Sequence, residues 1–566
     1  MQFSKKTKTF TIFSAALVLL CTISQAYAYD PPIGIPQPPF GIDQSHTMYS
    51  GKTYAAGGFV YRDAGNGPYT HYIDGSSPLC TNTNNQYGTS DKPRCSLPNN
   101  SDSTRRITLP PGSVLEIHGG LSSPYTRSGI YQIILAGTQN NPVFIRGFSS
   151  TESEYPQYVN TDFRIAGSFG IIEQLDIYDD CQFTIRPDYD FEGRSRSDHI
   201  SIRNMHIHEP VGDFGDMNGT SAVGDYIVYY KNHVHNNWKN DQEDAHGIYI
   251  GQGSHYSWIL ENNIYENSGN GFQSCNACSA SPPEYIYIGK NIMHSDKELA
   301  IGMKYANNVI ISQNKIYDYH INPTSTGTGI VIGADGPTNN VWMIFNEIYD
   351  APYGIRIEET LTDVYIIGNI IHDISNVAIN LEKEGPNVYL TNNTLNNVGQ
   401  FINQTWQDDF IIHARNNIFS NSTNNVGIEI MSRIVADPSH MFNNLFYDSD
   451  GSETIYWASD RNTYSSTSDL SSFNGGTDNF YGNPGFYNAS LDNYMLTNSS
   501  PAIDFGDSNA DSKGVYDTFR ARYGIDITVD FNGNRRPYGA SWDIGAYEMG
   551  ATSPEAAPSP PTLLPQ

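Results

Sequence analysis

Lys304, Arg356, Glu358 and Glu382 recur at matching positions of a repeating apolar pattern, which would put a base, a guanidinium and two carboxylates on one face. A lysine in that company can take a proton from an acidified C–H, provided a neighbouring cation or desolvation lowers its ammonium. Glu358 with Glu382, or with Asp335, can instead work as an acid and base pair on a bond placed between them. Asp241, Glu243, Asp244, Asp296 and Glu298 gather on the turn leading into the same face. Such an all-oxygen set suits Ca²⁺ rather than zinc. His246, beside Asp244, is the titratable side chain next to that cluster.

These residues come together only if the chain supplies stacked strands in register. Setting Gly247, Gly271, Ala300, Gly329, Gly354 and Ala378 level gives an outward column Tyr249, Gln273, Gly302, Val331, Arg356 and Asn380. Two residues further on, Gly251, Cys275, Lys304, Gly333, Glu358 and Glu382 form a second column. Apolar residues alternate with these positions, and period two means strand, not helix.

An asparagine repeats alongside, at Asn232, Asn262, Asn291, Asn314, Asn346, Asn369, Asn393, Asn416 and Asn443, with a basal turn of 23 or 24 residues and longer copies up to 32. A column of asparagines fits a sharp bend, because Asn tolerates the left-handed conformation and stacked amides can bond along an axis. The period predicts an all-β chain folded as a right-handed parallel β-helix over residues 112–487, with strands stacking turn on turn around one apolar core. Residues 29–111 read as an N-terminal cap region stapled by a Cys80–Cys95 disulfide, and 488–550 as a C-terminal capping motif. Tyr265, Tyr317 and Tyr349, recurring at the same period, read as a stacked structural column.

The chain resembles the pectate-lyase-like superfamily of secreted β-helix proteins, over roughly residues 91 to 550. Ser500-Pro-Ala-Ile-Asp-Phe-Gly, Asp530-Phe-Asn-Gly-Asn-Arg-Arg-Pro and Asp543-Ile-Gly-Ala-Tyr-Glu resemble an end motif of bacterial β-helix proteins. The strand Glu298-Leu-Ala-Ile-Gly-Met-Lys304 is similar to the acid-to-lysine strand of alginate and chondroitin lyases with this fold. The resemblance implies a polysaccharide substrate rich in uronate, cleaved by β-elimination with Ca²⁺ assisting and Lys304 and Arg356 at the bond. The turn after Lys304 reads Gly329-Ile-Val-Ile-Gly-Ala-Asp, without the Arg-His pair those lyases carry there. A glycoside hydrolase working on a neutral glycan through Glu358 and Glu382, and a glycan-binding surface protein without catalysis, are the alternatives.

Composition narrows the rest. A formal net charge of −28 makes nucleic acid a poor partner. Lys5, Lys6 and Lys8, an apolar run from Phe10 to Cys21, and Ala26-Tyr27-Ala28 read as a signal peptide over residues 1–28, so the protein is expected to be secreted, without a membrane span, and monomeric. Cys275 and Cys278 read as a local staple, since no second Cys-x-x-Cys exists to complete a zinc site. Cys181 is then left over, and 551–566 is a Pro/Ala-rich tail.

Overall fold

The computed structural model describes residues 29–550 apart from 46–52, 55–58, 61, 64–67, 99–105, 121–122, 127–129, 150, 179–182, 187–195, 210–217, 238–243, 384, 405–409, 425–426, 431–439, 450–454, 458–461, 465–466 and 471–475. The segments read as a signal peptide and a tail, together with Cys181, Asp241 and Glu243, therefore lie outside the described residues.

Period-two sequence becomes a parallel β-helix with three faces. The first runs through His255–Leu260, Glu284–Gly289, Asn307–Ser312 and Asn339–Ile344, each paired in parallel with the next. Short strands make the second, His206–His208, His233–His235, Asn263–Tyr265, Ile292–His294 and Lys315–Tyr317. The third holds Ile248–Ile250, Phe272–Ser274, Leu299–Met303 and Thr328–Ile332. In the basal turns no loop separates the second face from the third, so Glu347–Ile357, Ile370–Leu381 and Thr394–Gln404 each run across both. The inward residues of the third face, Ile248, Phe272, Ile301, Ile330, Ile355 and Ile379, are buried in one continuous core. The expected register holds pair by pair, from Ile248 opposite Phe272 to Ile355 opposite Ile379.

The asparagine ladder is built from Asn232, Asn262, Asn291, Asn314, Asn346, Asn369, Asn393, Asn417, Asn444 and Asn479. From Asn262 onward each Oδ1 accepts from both the backbone N–H and the Nδ2 of the ladder asparagine in the turn before, as Asn314 does from Asn291 at 3.0 and 2.9 Å, whereas Asn232 Oδ1 accepts the backbone N–H of Met205. Asn416 and Asn443 are one residue out of the expected register. They hold the left-handed position before the ladder residue, as Lys231, Glu261, Lys290 and Gln313 do in other turns. The bend thus falls on the residue ahead of the ladder, and the ladder side chain itself ties neighbouring turns.

Parallel pairing starts within the segment read as a cap, where His71–Asp74 pairs with Val114–His118 and Arg106–Leu109 with Ile130–Ala136. Residues 29–45 lie along the outside of the first face. Ser312 Oγ donates to Ile33 O at 2.6 Å, Trp258 Nε1 to Pro36 O at 2.8 Å, and Arg203 to Gly41 O and Ile42 O at 3.0 and 2.7 Å. The segment therefore runs back toward the N-terminal turns as a strap. The helix Ala510–Tyr523 packs on the same flank, with Phe519 edge-on to Trp342. The segment resembling an end motif is held by its own polar residues. Arg536 and Glu548 form a fully buried ion pair at 2.8 Å, and Asp530 accepts from the backbone of Asn532, Asn534 and Glu548. Cys80–Cys95 and Cys275–Cys278 are disulfides.

Candidate active site

The third face carries two polar clusters, and Lys304 belongs to the first. Lys304 follows the strand Leu299–Met303, whose inward Ile301 and Met303 anchor it in the core. Its backbone is clamped by the turn above, since Lys304 N–H donates to Ser274 Oγ at 2.7 Å and Ser274 Oγ donates to Lys304 O at 2.8 Å. Ser274 is next to Cys275, so the disulfide to Cys278 stiffens the loop beside the lysine. The ammonium pairs with Asp335 at 2.8 Å; the lysine side chain is 16% exposed and the aspartate 54%. A closed lysine facing an open carboxylate leaves Asp335 free to turn away when a ligand arrives.

Glu298, Asp244 and His246 complete this cluster. Burial, and Asp244 hydrogen-bonded to it, raise the Glu298 carboxyl to about 7, with Lys304 acting in the opposite direction. Two carboxyls in hydrogen-bonding contact share a proton or a cation, because both charges cannot stand side by side uncompensated. His246 Nδ1 accepts the backbone N–H of Asn270 at 2.9 Å and lies 3.3 Å from Asp244 Oδ1. A nitrogen that accepts there carries no proton, so the neutral ring holds its hydrogen on Nε2. Gly269 makes room for this arrangement, because a Cβ there would collide with both Asp244 and His246.

Arg356, Glu358 and Glu382 form the second cluster, on later turns of the same face. Arg356 Nη2 donates to Glu382 Oε2 at 2.7 Å and to Glu358 Oε1 at 3.3 Å, its Nε reaches Glu382 Oε1 at 3.1 Å, and Nη1 donates to Thr326 Oγ1 at 2.9 Å. Lys383 pairs with Glu358 at 2.9 Å, and Asn380 donates to Glu382 at 2.7 Å. The guanidinium fills the space between the two carboxylates, where a hydrolase would need its sugar. Between this network and Lys304 lie buried Val331 and the small Gly333.

Of the five oxygen donors read from the sequence, the structure joins Asp244 and Glu298. Asp296 is apart from them. It is buried inside the helix, where Oδ1 accepts from Asn267 Nδ2 at 2.6 Å and Oδ2 from Tyr319 OH at 2.7 Å. Both oxygens are occupied by core donors, and burial raises its carboxyl to about 7.

A cluster on the second face was not picked out by the sequence reading. His206, His208 and His235 lie together there, with Asp176 and Glu152 around them. Burial and the neighbouring His208 push His206 down to about 4. The available signal was the strand rule itself, since His206-Ile-His208 and His233-Val-His235 alternate outward histidines on successive turns. Further along the face the expected aromatic column is present, with Tyr265, His294, Tyr317, Tyr349 and His372 stacked at 4.8 to 5.1 Å. The rings cover one another, so Tyr265, His294, Tyr317 and Tyr349 offer edges to solvent, while His372 is buried.

Compared with known proteins, residues 246–419 match a family model described as a right handed beta helix region. The chain is thus a right-handed parallel β-helix protein, as its register and core already indicate. No curated protein matches it. Among solved structures it is similar to the PL6 family alginate lyase AlyGC, at 14% identity and a TM-score of 0.47, over 72% of this chain and 58% of that one. It is also similar to the GH136 lacto-N-biosidase from Eubacterium ramulus (13% identity, TM-score 0.38, 67% of this chain and 64% of that one). For pectate lyase Pel9A the identity is 11% and the TM-score 0.34, over 84% of this chain and 96% of that one. The chain spans 58% of the length of the alginate lyase. Among the described residues no helix is long and apolar enough to cross a membrane.

Proposed function

We propose that this chain is a secreted polysaccharide lyase that cleaves a uronate-containing glycan by β-elimination at Lys304. The observation that carries the reading is the convergence of Lys304, Asp335, Glu298, Asp244 and His246 on one face. On binding, the substrate carboxylate takes the place of Asp335 beside the Lys304 ammonium. As it is displaced, Asp335 carries one ammonium proton from Lys304 to solvent, and the free amine then accepts the proton from the carbon next to the substrate carboxylate. The electron pair forms the ring double bond as the C–O bond to the neighbouring sugar breaks, and the Lys304 ammonium returns its proton to the leaving oxygen.

Asp244 and Glu298 fit a hard divalent cation, because their contact leaves two oxygen donors in need of a shared positive charge. Ca²⁺ held there would neutralise the substrate carboxylate and acidify the adjacent C–H. The Arg356 guanidinium is held by Glu358 and Glu382, so a uronate unit further along the chain meets it only by displacing one of these carboxylates.

The test is an ultraviolet assay for the unsaturated product on a panel of uronate and neutral polysaccharides, with Ca²⁺ or chelator, beside a reducing-end assay. Wild type is expected to raise absorbance on a uronate polymer, and Lys304→Ala to lose about 10²-fold or more. Reducing ends without absorbance would mean hydrolysis, and activity surviving both Lys304→Ala and chelator would overturn the proposal.

A further inference from the structure

The strand alternation that positions Lys304 on the third face collects imidazoles on the second. His206 and His208 point outward from one strand and His233 and His235 from the next, with Ile207 and Val234 between them in the core. His206 Nε2 and His235 Nε2 face each other at 2.6 Å, and one ring nitrogen from each of His206, His208 and His235 lies within 4.8 Å of the others. Two ring nitrogens at that distance need a positive hydrogen or a metal between them, since bare lone pairs repel.

Carboxylates surround the group. Asp176 Oδ1 meets His208 Nε2 at 2.9 Å, and its Oδ2 lies 3.9 Å from His206 Nδ1. Glu152 Oε1 meets His233 Nδ1 at 2.9 Å and lies 3.7 Å from His206 Nδ1. A carboxylate on the far side of a ring is the partner that orients a metal-binding histidine and raises its basicity. Two carboxylates also supply the charge that a divalent ion would balance.

We propose that His206, His208 and His235 form a binding site for a divalent transition-metal ion of the zinc class, supported by Asp176 and Glu152. Imidazole donors favour Zn²⁺, Co²⁺, Ni²⁺ and Cu²⁺ over Ca²⁺ and Mg²⁺, so this site and the oxygen pair on the third face select different ions. The His206 and His235 rings open by less than about 1 Å to admit the ion in place of their shared hydrogen, a distance within side-chain rotation.

The site is tested on the full-length, untagged protein after chelator treatment and dialysis. Titration with Co²⁺ is expected to produce ligand-field absorption that saturates at one equivalent and is displaced by Zn²⁺. Cu²⁺-loaded wild type is expected to show nitrogen hyperfine structure from more than one imidazole in its electron paramagnetic resonance spectrum, a readout that needs no variant. His208→Ala and His235→Ala should each weaken Zn²⁺ binding at least 10-fold in calorimetry, and Asp176→Asn about 10-fold, with circular dichroism confirming the fold. Absence of stoichiometric binding by wild type, a copper spectrum without nitrogen coupling, or unchanged Zn²⁺ affinity when all three histidines are replaced would each overturn the proposal.

Discussion

Asp296 shows how far environment decides what a carboxyl can do. Its neighbours in sequence include the site residue Glu298, but its side chain turns inward to Asn267 and Tyr319. Burial raises it from the ordinary 3.8 to about 7, so the folded chain holds that proton more tightly than the unfolded chain does. A raised folded value means that the stabilisation is complete below about pH 4 and is lost as pH rises through about 7. Asp296→Asn keeps the acceptor for Asn267 and supplies a donor to Tyr319 without a charge. The variant is therefore expected to gain on wild type between pH 4 and 7, by on the order of 4 kcal/mol, and to hold that gain unchanged above that range. Urea unfolding midpoints across the range read this directly, and a gap independent of pH would refute it. The sequence placed Asp296 with the other acids because its repeat position matches that of Glu243, on the turn that leads into the third face. Nothing in the pattern records that Asp296 stands in a bend, where an interior asparagine from the previous turn claims it.

At the scale of the element, the turn is legible because three demands coincide: inward Ile at period two, outward polar residues, and an asparagine at the bend. That is why the register from Gly247 to Ala378 is legible in the sequence. The ladder slips by one at Asn416 and Asn443, where Asn-Asn pairs give two adjacent residues that both satisfy the pattern. Only the alternation of the strand that follows separates the two roles. Removal of one ladder amide has a definite consequence. In Asn314→Ala, Asn291 N–H and Nδ2 lose their acceptor, and Ile288 O and Asn346 Oδ1 lose a donor, all away from water. Unsatisfied buried groups cost roughly 1–3 kcal/mol each before relaxation, so a loss of about 3 kcal/mol is expected in chemical denaturation. Lys315→Ala, at the neighbouring exposed residue, should change stability by less than about 1 kcal/mol. Equal losses in the two variants would show that the ladder contributes no more than a surface ion pair.

For the whole molecule, the two ends of the chain matter more than their sequences announce. Residues 29–45 are rich in proline and carry no repeat, and a period-based reading can place them only beyond the first turn. In the structure Ile35 joins Trp258, Tyr287, Ile310, Trp342, Ile344 and Phe519 in one flank cluster, so the N-terminal strap and the helix Ala510–Tyr523 meet over the middle of the β-helix. Gly34 marks the closest approach: its φ is +82°, and a Cβ there would lie 2.6 Å from Ile344 Cδ1 and 3.0 Å from the Phe519 ring. A solenoid gains most of its stability from nearest-neighbour turns, so a clasp spanning several turns adds coupling that stacking alone lacks. Phe519 is fully buried in this clasp, and Phe519→Ala is expected to cost about 3–5 kcal/mol. If the two segments hold one another, the same variant also loosens residues 29–45, which are distant in sequence. Limited proteolysis should then cut the N-terminal segment faster in Phe519→Ala than in wild type, while the amides of Phe272–Ser274 and Leu299–Met303, on the opposite face, keep their exchange protection. A destabilised variant whose N-terminal segment resists protease as well as wild type would mean that strap and helix pack on the flank independently.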